Sequence, residues 1–598
     1  MENGEVDSKL VRKCIEAACE SREAVEKWQM QRRSLQRLPS PLASALLHRL
    51  LLRHLLFPSL LEVFKFSVEE ADLSGENSVD AEWMAYLGAF SYLHCLNVAD
   101  CYRINNTALW PLAGMTSLKD LDLSRCMKIT DAGIKHLLSV SRLEKLHLSQ
   151  TGVTADGVGL LSALKNLSTL DLGGLPVSDQ ALNSLQVLTN LEYLDVWGSN
   201  ISNVGAAAFK NFPKLNFLNL AWTSITKLPN LQSIECLNMS DCTIHSVMED
   251  RSERATLRKL IVHGSSFLEA ENTFSSIEAS CLSFLNLSNS SLSYFGFLYR
   301  MKALEHLDLS FSAVQDDDVE AISCIGANLR HLNLNNTKVS NVGLETLAGH
   351  VPKLEVLSLS HTSVDDFAIG YISTMHSLKA LDLSNTNIKG YIRQVSDEDD
   401  ALSLTALQDL KHLEILHLEK TRVTDEAINA LPGLEELSDL SLNSTIITDK
   451  CLEHLSRVKN LVNLCVQGTL LTNGALESFN PPITLKLLDL RDCWLLTMDS
   501  LSMFCKKHSG VKVRHDLLSP SAVDQSSSHQ SAAPLRKDFK ASKLKQRDGK
   551  SSVSSLLFKV DVLDQRIKYS REELLTLQHI SPPLVPPLSA DIAVSELE

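Results

Sequence analysis

The 598-residue sequence predicts an α/β solenoid: a curved horseshoe with a parallel sheet on its concave face, an N-terminal helical cap, a disordered C-terminal linker and a terminal helix. Three observations predict it. From residue 93 onward the phrase Leu-x-x-Leu-x-Leu-x-x-[Thr/Ser/Cys]-x-[Val/Ile/Leu] restarts, mostly every 22 to 25 residues. Alternate residues in each phrase are apolar, which marks a short strand with one buried face. The composition changes sharply near residue 515, toward Ser and Lys.

The phrases begin at Leu93, Leu118, Leu143, Leu167, Leu191, Leu215 and Ile234 and continue to Leu485, about seventeen in all. Each of these first residues is offset 0 of its phrase. Offsets +3 and +5 are apolar throughout, as in Leu121 and Leu123 or Leu440 and Leu442. Strands stacked about 4.8 Å apart extend over roughly 80 Å of arc. No single repeat buries its own leucines, and only the stack makes a core.

Offset +8 is small and carries a hydroxyl or thiol in all phrases but that of Leu175, as in Cys101, Thr151, Cys242, Thr337 and Cys493. Such side chains suit an inward site where the chain leaves the strand and backbone groups need partners. Many turns continue with Thr-Asp before an apolar run, as in Thr130-Asp131 and Thr424-Asp425, which reads as a helix N-cap. This vocabulary resembles the cysteine-containing and ribonuclease-inhibitor-like leucine-rich repeats of intracellular proteins, including the leucine-rich-repeat F-box receptors. The resemblance covers roughly residues 90 to 510 and implies protein binding rather than catalysis.

Thirteen scattered cysteines, without a Cys-x-x-Cys pair, suggest reduced thiols rather than disulfides or zinc ligands. Met1 to Leu10 is polar and does not read as a signal peptide. The leucine-rich run Leu46 to Phe57 is too short to cross a bilayer. A formal net charge of -15 argues against duplex nucleic acid as a partner. The expectation is a cytoplasmic or nuclear protein without cofactor, metal, membrane or nucleic-acid partner. No phosphate loop, nucleophile elbow or kinase signature is present, and the Leu-Asp-Leu aspartates at offset +4 read as repeat vocabulary rather than acid-base machinery.

The expected organisation is a helical region or cap over 1–58, the repeats with a degenerate first turn over 59–515, a Ser/Lys-rich linker over 516–553, an amphipathic helix over 554–580 and a Pro-rich tail over 581–598. Leu10, Cys14, Ala18 and Val25 recur at helical intervals. Leu38-Pro39-Ser40-Pro41-Leu42 leads into a second helix that Pro58 stops, and Leu61-x-x-Phe64-x-Phe66 reads as the degenerate first strand.

Leu10-x-x-x-Cys14-x-x-x-Ala18 resembles the elongin-binding box of VHL-box and SOCS-box proteins, and Leu38-Pro39-x-x-Leu42-x-x-x-Leu46 resembles the cullin-binding box that accompanies it. The order of boxes and repeats is similar to that of the zyg/zer substrate receptors, although Lys9 departs from the first box and that family's armadillo-type domain has no counterpart here. The second phrase also aligns with the opening of an F-box. The resemblance implies a ubiquitin-ligase substrate receptor whose N-terminal helices bind elongin C or a Skp-type adaptor and, through it, a cullin. The other reading is an intracellular scaffold or signalling regulator in which these helices only cap the solenoid.

On the concave sheet, Tyr193, Asp195, Trp197, Phe217 and Trp222 interrupt an otherwise polar surface, and aromatics beside a carboxylate are typical of a binding hot spot. Alternatively, the tryptophans fold over the edge onto neighbouring loops. His306 and His331 share an offset and should lie about 5 Å apart, an arrangement more common on solvated sheets than in metal sites. The turn from Leu215 to Ile234 is short, whereas that from Leu378 to Leu413 carries an acidic insertion in which Ser396 resembles an acidophilic-kinase site.

Overall fold

The computed structural model describes residues 9–29, 38–249, 256–269, 272–392, 401–443 and 446–517. Ser396, the linker beyond Leu517, the segment 554–580 and the Pro-rich tail lie outside the described residues.

Among the described residues, a parallel sheet of 19 strands runs from Glu70–Asp72 to Lys512–Arg514. Its register aligns the predicted leucine column: Leu96 pairs with Leu121, Leu307 with Leu332, and Leu464 with Leu488. One repeat's +3 side chain therefore lies on the next, and Leu121, Leu307, Leu332 and Leu488 are fully enclosed. Each such leucine contributes roughly 1.5–3 kcal/mol of burial, available only once its neighbours are in place.

The hydroxyl-and-thiol column ties the strand ends in two ways. Thr337, Thr362, Thr386 and Thr469 donate to the carbonyl three residues back at 2.6–2.7 Å, closing their own turns. Cys126 and Cys493 instead donate to the +5 carbonyl of the preceding repeat, Val98 at 3.2 Å and Val466 at 3.3 Å. Ser265 also reaches across the repeat boundary, donating to the Met239 carbonyl at 2.8 Å, so this second link is open to a hydroxyl as well as to a thiol.

The Thr-Asp doublets act differently from the simple N-caps expected. Thr154, at the helix start that follows the Thr130-Asp131 doublet, makes no cap bond within its own helix. Instead, its amide and hydroxyl donate to the carboxylate of Asp131 in the preceding repeat at 2.8 and 2.6 Å. Asp425 binds Thr448, and Asp449 binds Thr472, in the same way. Each aspartate at the start of one helix thus positions the start of the next, a charge-assisted link between turns.

Two segments depart from the regular turn. After Leu215 the shortened connection has no room for a helix, and Lys227–Leu228 pairs with Ser246–Met248 as an outer strand. In the long insertion, Tyr391–Ile392 and Ala401–Leu402 form an antiparallel ladder. Asp366 anchors its root, accepting from the amides of Lys389 and Gly390 and from Ser403 Oγ at 2.6–2.9 Å.

At the N-terminal end, α1 (Lys9–Ala18) packs against both α2 (Arg22–Gln29) and α3 (Ser40–Leu52). The expectation of a strand at Leu61 to Phe66 is corrected: Pro58–Val63 is a 3-10 helix, and the first strand is Glu70–Asp72. Leu60, Leu61, Val63 and Phe64 are all buried, and such consecutive burial suits a helical turn wedged into the solenoid's end rather than a half-buried strand.

Candidate protein-binding surface

The inner face is built from two columns of side chains, and its rim from a third. At offset +2, the ring of Tyr193 stacks on Phe217 with centroids 4.2 Å apart and planes 5° from parallel. Farther along, Phe284, His306 and His331 continue the column, the two imidazoles stacked at 4.1 Å. The curvature of the sheet presses neighbouring rings together, so Tyr193 retains 5% exposure and Phe217 1%. The expectation that both stand out from the sheet as anchors is therefore corrected: they form a small core of their own with Cys236, Ile261 and Phe284.

At offset +4, Asp and Asn side chains cap the strand ends. Asp195 accepts from the amide of Trp197 at 3.0 Å and from Asn219 Nδ2 at 2.9 Å. Asp171, Asp308 and Asp382 accept the corresponding amide two residues on at 2.9–3.0 Å. The aspartates thus orient the backbone where the chain leaves the sheet. Burial, then the neighbouring Asp171, push the Asp195 carboxyl well above the ordinary carboxylate range.

Trp197, at offset +6, folds over the edge of the sheet. Its indole lies across the preceding turn, where a methyl group added at Gly173 would fall 2.0 Å from Nε1. Gly173 thus makes the close approach possible. Trp222 stands apart, with a left-handed backbone (φ 60°) and 37% of its surface exposed. The five predicted residues therefore divide into an enclosed pair, an enclosed carboxylate, an indole folded over the rim and one indole open to solvent.

Sequence reasoning missed the column that places Trp222. From Gly75 to Asp492, the residue at offset +7 has positive φ in every turn where it is described. Most of these positions hold Gly, Asn or Asp, which tolerate that conformation, and the pattern is legible once the offset is known. Trp222 and Phe311 are the bulky apolar exceptions, and Phe311 is 59% exposed. Both side chains are thus held in a costly backbone conformation and left in contact with solvent.

Burial lowers His306 to about 3, with the charges of His331, Lys259 and Arg330 adding to the effect. Its neighbour Asp308 is engaged by the amide and hydroxyl of Ser310 at 2.9 and 2.7 Å. Among the described residues, no group of three or more His, Cys, Asp or Glu side chains converges on a metal position. Likewise, no described helix is long and apolar enough to cross a membrane.

The N-terminal candidates also separate. In α1, Leu10 is 73% exposed and Cys14 is exposed, while Ile15 and Ala18 lean on the core. The helix is held against the body by Trp28 Nε1, which donates to the Ala18 carbonyl at 2.9 Å, and by Arg53, which donates to the Cys19 carbonyl at 3.0 Å. Pro39 is exposed and Leu38 and Leu42 half-buried, but Leu46 is buried in α3 and presents nothing to a partner.

Leucine-rich-repeat family models match the chain over residues 327–388 and, for a second model, over 114–138 and 302–323. No curated protein matches the sequence. Among solved structures, the chain is similar to a leucine-rich-repeat protein of Leptospira interrogans, with 16% identity over 75% of this chain and 95% of that one and a TM-score of 0.44. It is also similar to the plant peptide hormone receptor RGFR1, solved in complex with RGF2, at 15% identity over 77% and 81% of the two chains with a TM-score of 0.36. An internalin of Listeria monocytogenes gives 16% identity over 68% and 88%, with a TM-score of 0.30. With its in-register leucine ladder, its parallel inner sheet and its flanking helices, the chain has the fold of a curved leucine-rich-repeat solenoid, and leucine-rich-repeat models match parts of it.

Proposed function

We propose that this protein-interaction solenoid is the substrate-recognition subunit of a cullin-type ubiquitin ligase, acting in the cytoplasm or nucleus. Under this reading, α1 binds elongin C or a Skp-type adaptor that brings the cullin, and the rim around Trp197 and Trp222 binds the target. The observation that carries it is the outward face of α1: Leu10 and Cys14 lie one helical turn apart and exposed, while Ala18, the last residue of the same stripe, and Ile15 beside it lean on the core. An exposed leucine on a helix held firmly to a domain is a preformed docking surface.

The test is capture from cell extract with the full chain and with a Leu10→Asp, Cys14→Asp variant, probing for elongin C, a Skp-type adaptor and a cullin. The full chain is expected to recover an adaptor with a cullin and the variant to lose both. Absence of all three from the full-chain sample sinks the ligase reading. Removing residues 1–58 is a poorer test, because Leu47 and Leu50 of α3 belong to the solenoid core.

The second reading is a scaffold or signalling regulator without ligase attachment. The burial of Leu46 favours it, since the Leu38 to Leu46 phrase is then partly consumed in capping the first turn.

A further inference from the structure

The two ends of the solenoid are finished differently. At the N-terminal end, α3 and the 3-10 helix at Pro58–Val63 cover the first turn, and Ala71 of the first strand is 2% exposed. At the other end, Lys512–Arg514 pairs only with Leu487–Asp489 among the described residues. Val513 occupies the same column as Leu488, which is fully enclosed, yet Val513 is half-buried. Val511 and Leu517 beside it are half-buried too, and Met503 on the last helix, Met498–Lys507, is 59% exposed. An open last layer of this kind exposes core side chains to water, and solenoids need a cap there.

We infer that residues 554–580 of this same chain form that cap, laying an apolar helical face against the last turn. The described chain stops at Leu517, on the open end itself, and 36 residues (518–553) separate it from the segment. A random coil of that length has a root-mean-square reach of roughly 30 Å, which corresponds to a high effective concentration of the segment at the end the chain leaves. Leu556, Val560, Leu563, Ile567, Leu574 and Leu577 recur at helical spacing, with one larger gap. A helix over 554–580 is about 40 Å long, enough to cross the end of the final turn.

The experiment is hydrogen–deuterium exchange on the full chain and on a full-chain Leu563→Asp, Ile567→Asp variant, with a Leu574→Asp, Leu577→Asp variant as an independent repeat. Peptides covering 498–514 are expected to exchange about tenfold or more faster in both variants, at any protein concentration. Peptides covering 304–382 report that the solenoid itself is intact. Equal exchange at 498–514 in wild type and variants overturns the inference. So does protection that grows with protein concentration, because a second copy then covers the end.

Discussion

Tyr193 lies flat on Phe217, ring to ring at 4.2 Å, so the most aromatic stretch of the inner sheet binds itself before it can bind anything else. Truncating Phe217 to Ala removes a ring that is 1% exposed and opens a cavity among Tyr193, Cys236 and Phe284. Phe217→Ala is expected to cost about 3–5 kcal/mol. Its combination with Tyr193→Ala should fall short of additivity by roughly 0.5–1.5 kcal/mol. Urea unfolding of the two single variants and the double variant measures both, and a loss below about 1 kcal/mol for Phe217→Ala would restore the reading of an open anchor.

The two tryptophans should part company on mutation. Trp197→Ala uncovers Gly173 and lowers the thermal midpoint, and Gly173→Ala, whose new methyl collides with the indole, does the same. Trp222→Gly relieves a left-handed backbone at a cost in unfolded-chain entropy, so its stability should change by less than about 1 kcal/mol. Capture of partners from extract should nevertheless fall with Trp222→Gly. Calorimetry and capture on the same samples separate the two roles, and a collapse in stability of Trp222→Gly would make that residue structural.

The link from Asp449 to the amide and hydroxyl of Thr472, at 2.7 Å each, predicts a sharp contrast with an exposed neighbour in the sequence pattern. Asp449→Ala should destabilise by about 1–3 kcal/mol. Asp156→Ala, at an exposed position, should stay within about 0.5 kcal/mol. Chemical denaturation of both variants decides whether the Thr-Asp doublets join repeats or only start helices.

The buried imidazoles give the stability a pH dependence whose sign follows from their surroundings. His306 is held down to about 3 by burial first, whereas an unfolded histidine titrates near 6.5. The unfolded chain therefore binds the proton more readily, and the contribution of His306 is fully present above about 6.5 and lost as the pH falls toward 3. His331 is lowered by the same cause and adds in the same direction. Asp195, whose carboxyl burial raises, works the opposite way, so the comparison must be between wild type and a histidine variant. His306→Phe keeps a ring between Phe284 and His331 and should show a shallower loss of stability from pH 7 to 4 in urea titrations. Parallel pH profiles for the two proteins would contradict this account.

The repeat, the strand positions and the register are legible in the spacing of the leucines, because a side-chain period of two leaves one way to turn every leucine inward. The +3 ladder from Leu96 to Leu488 follows from spacing alone. Spacing also exposed the irregular turns after Leu215 and Leu378. It did not separate the 3-10 helix at Pro58–Val63 from a strand, since a short apolar run suits either until its neighbours are known. Nor did it foresee the enclosure of Tyr193 or choose between the two readings of Trp197 and Trp222. Whether a side chain on the inner face meets water depends on how tightly adjacent strands curve together, and whether an indole folds over the rim depends on a glycine one turn earlier. Those are relations between residues some 24 positions apart in the chain, and only the packed stack of turns brings them into contact.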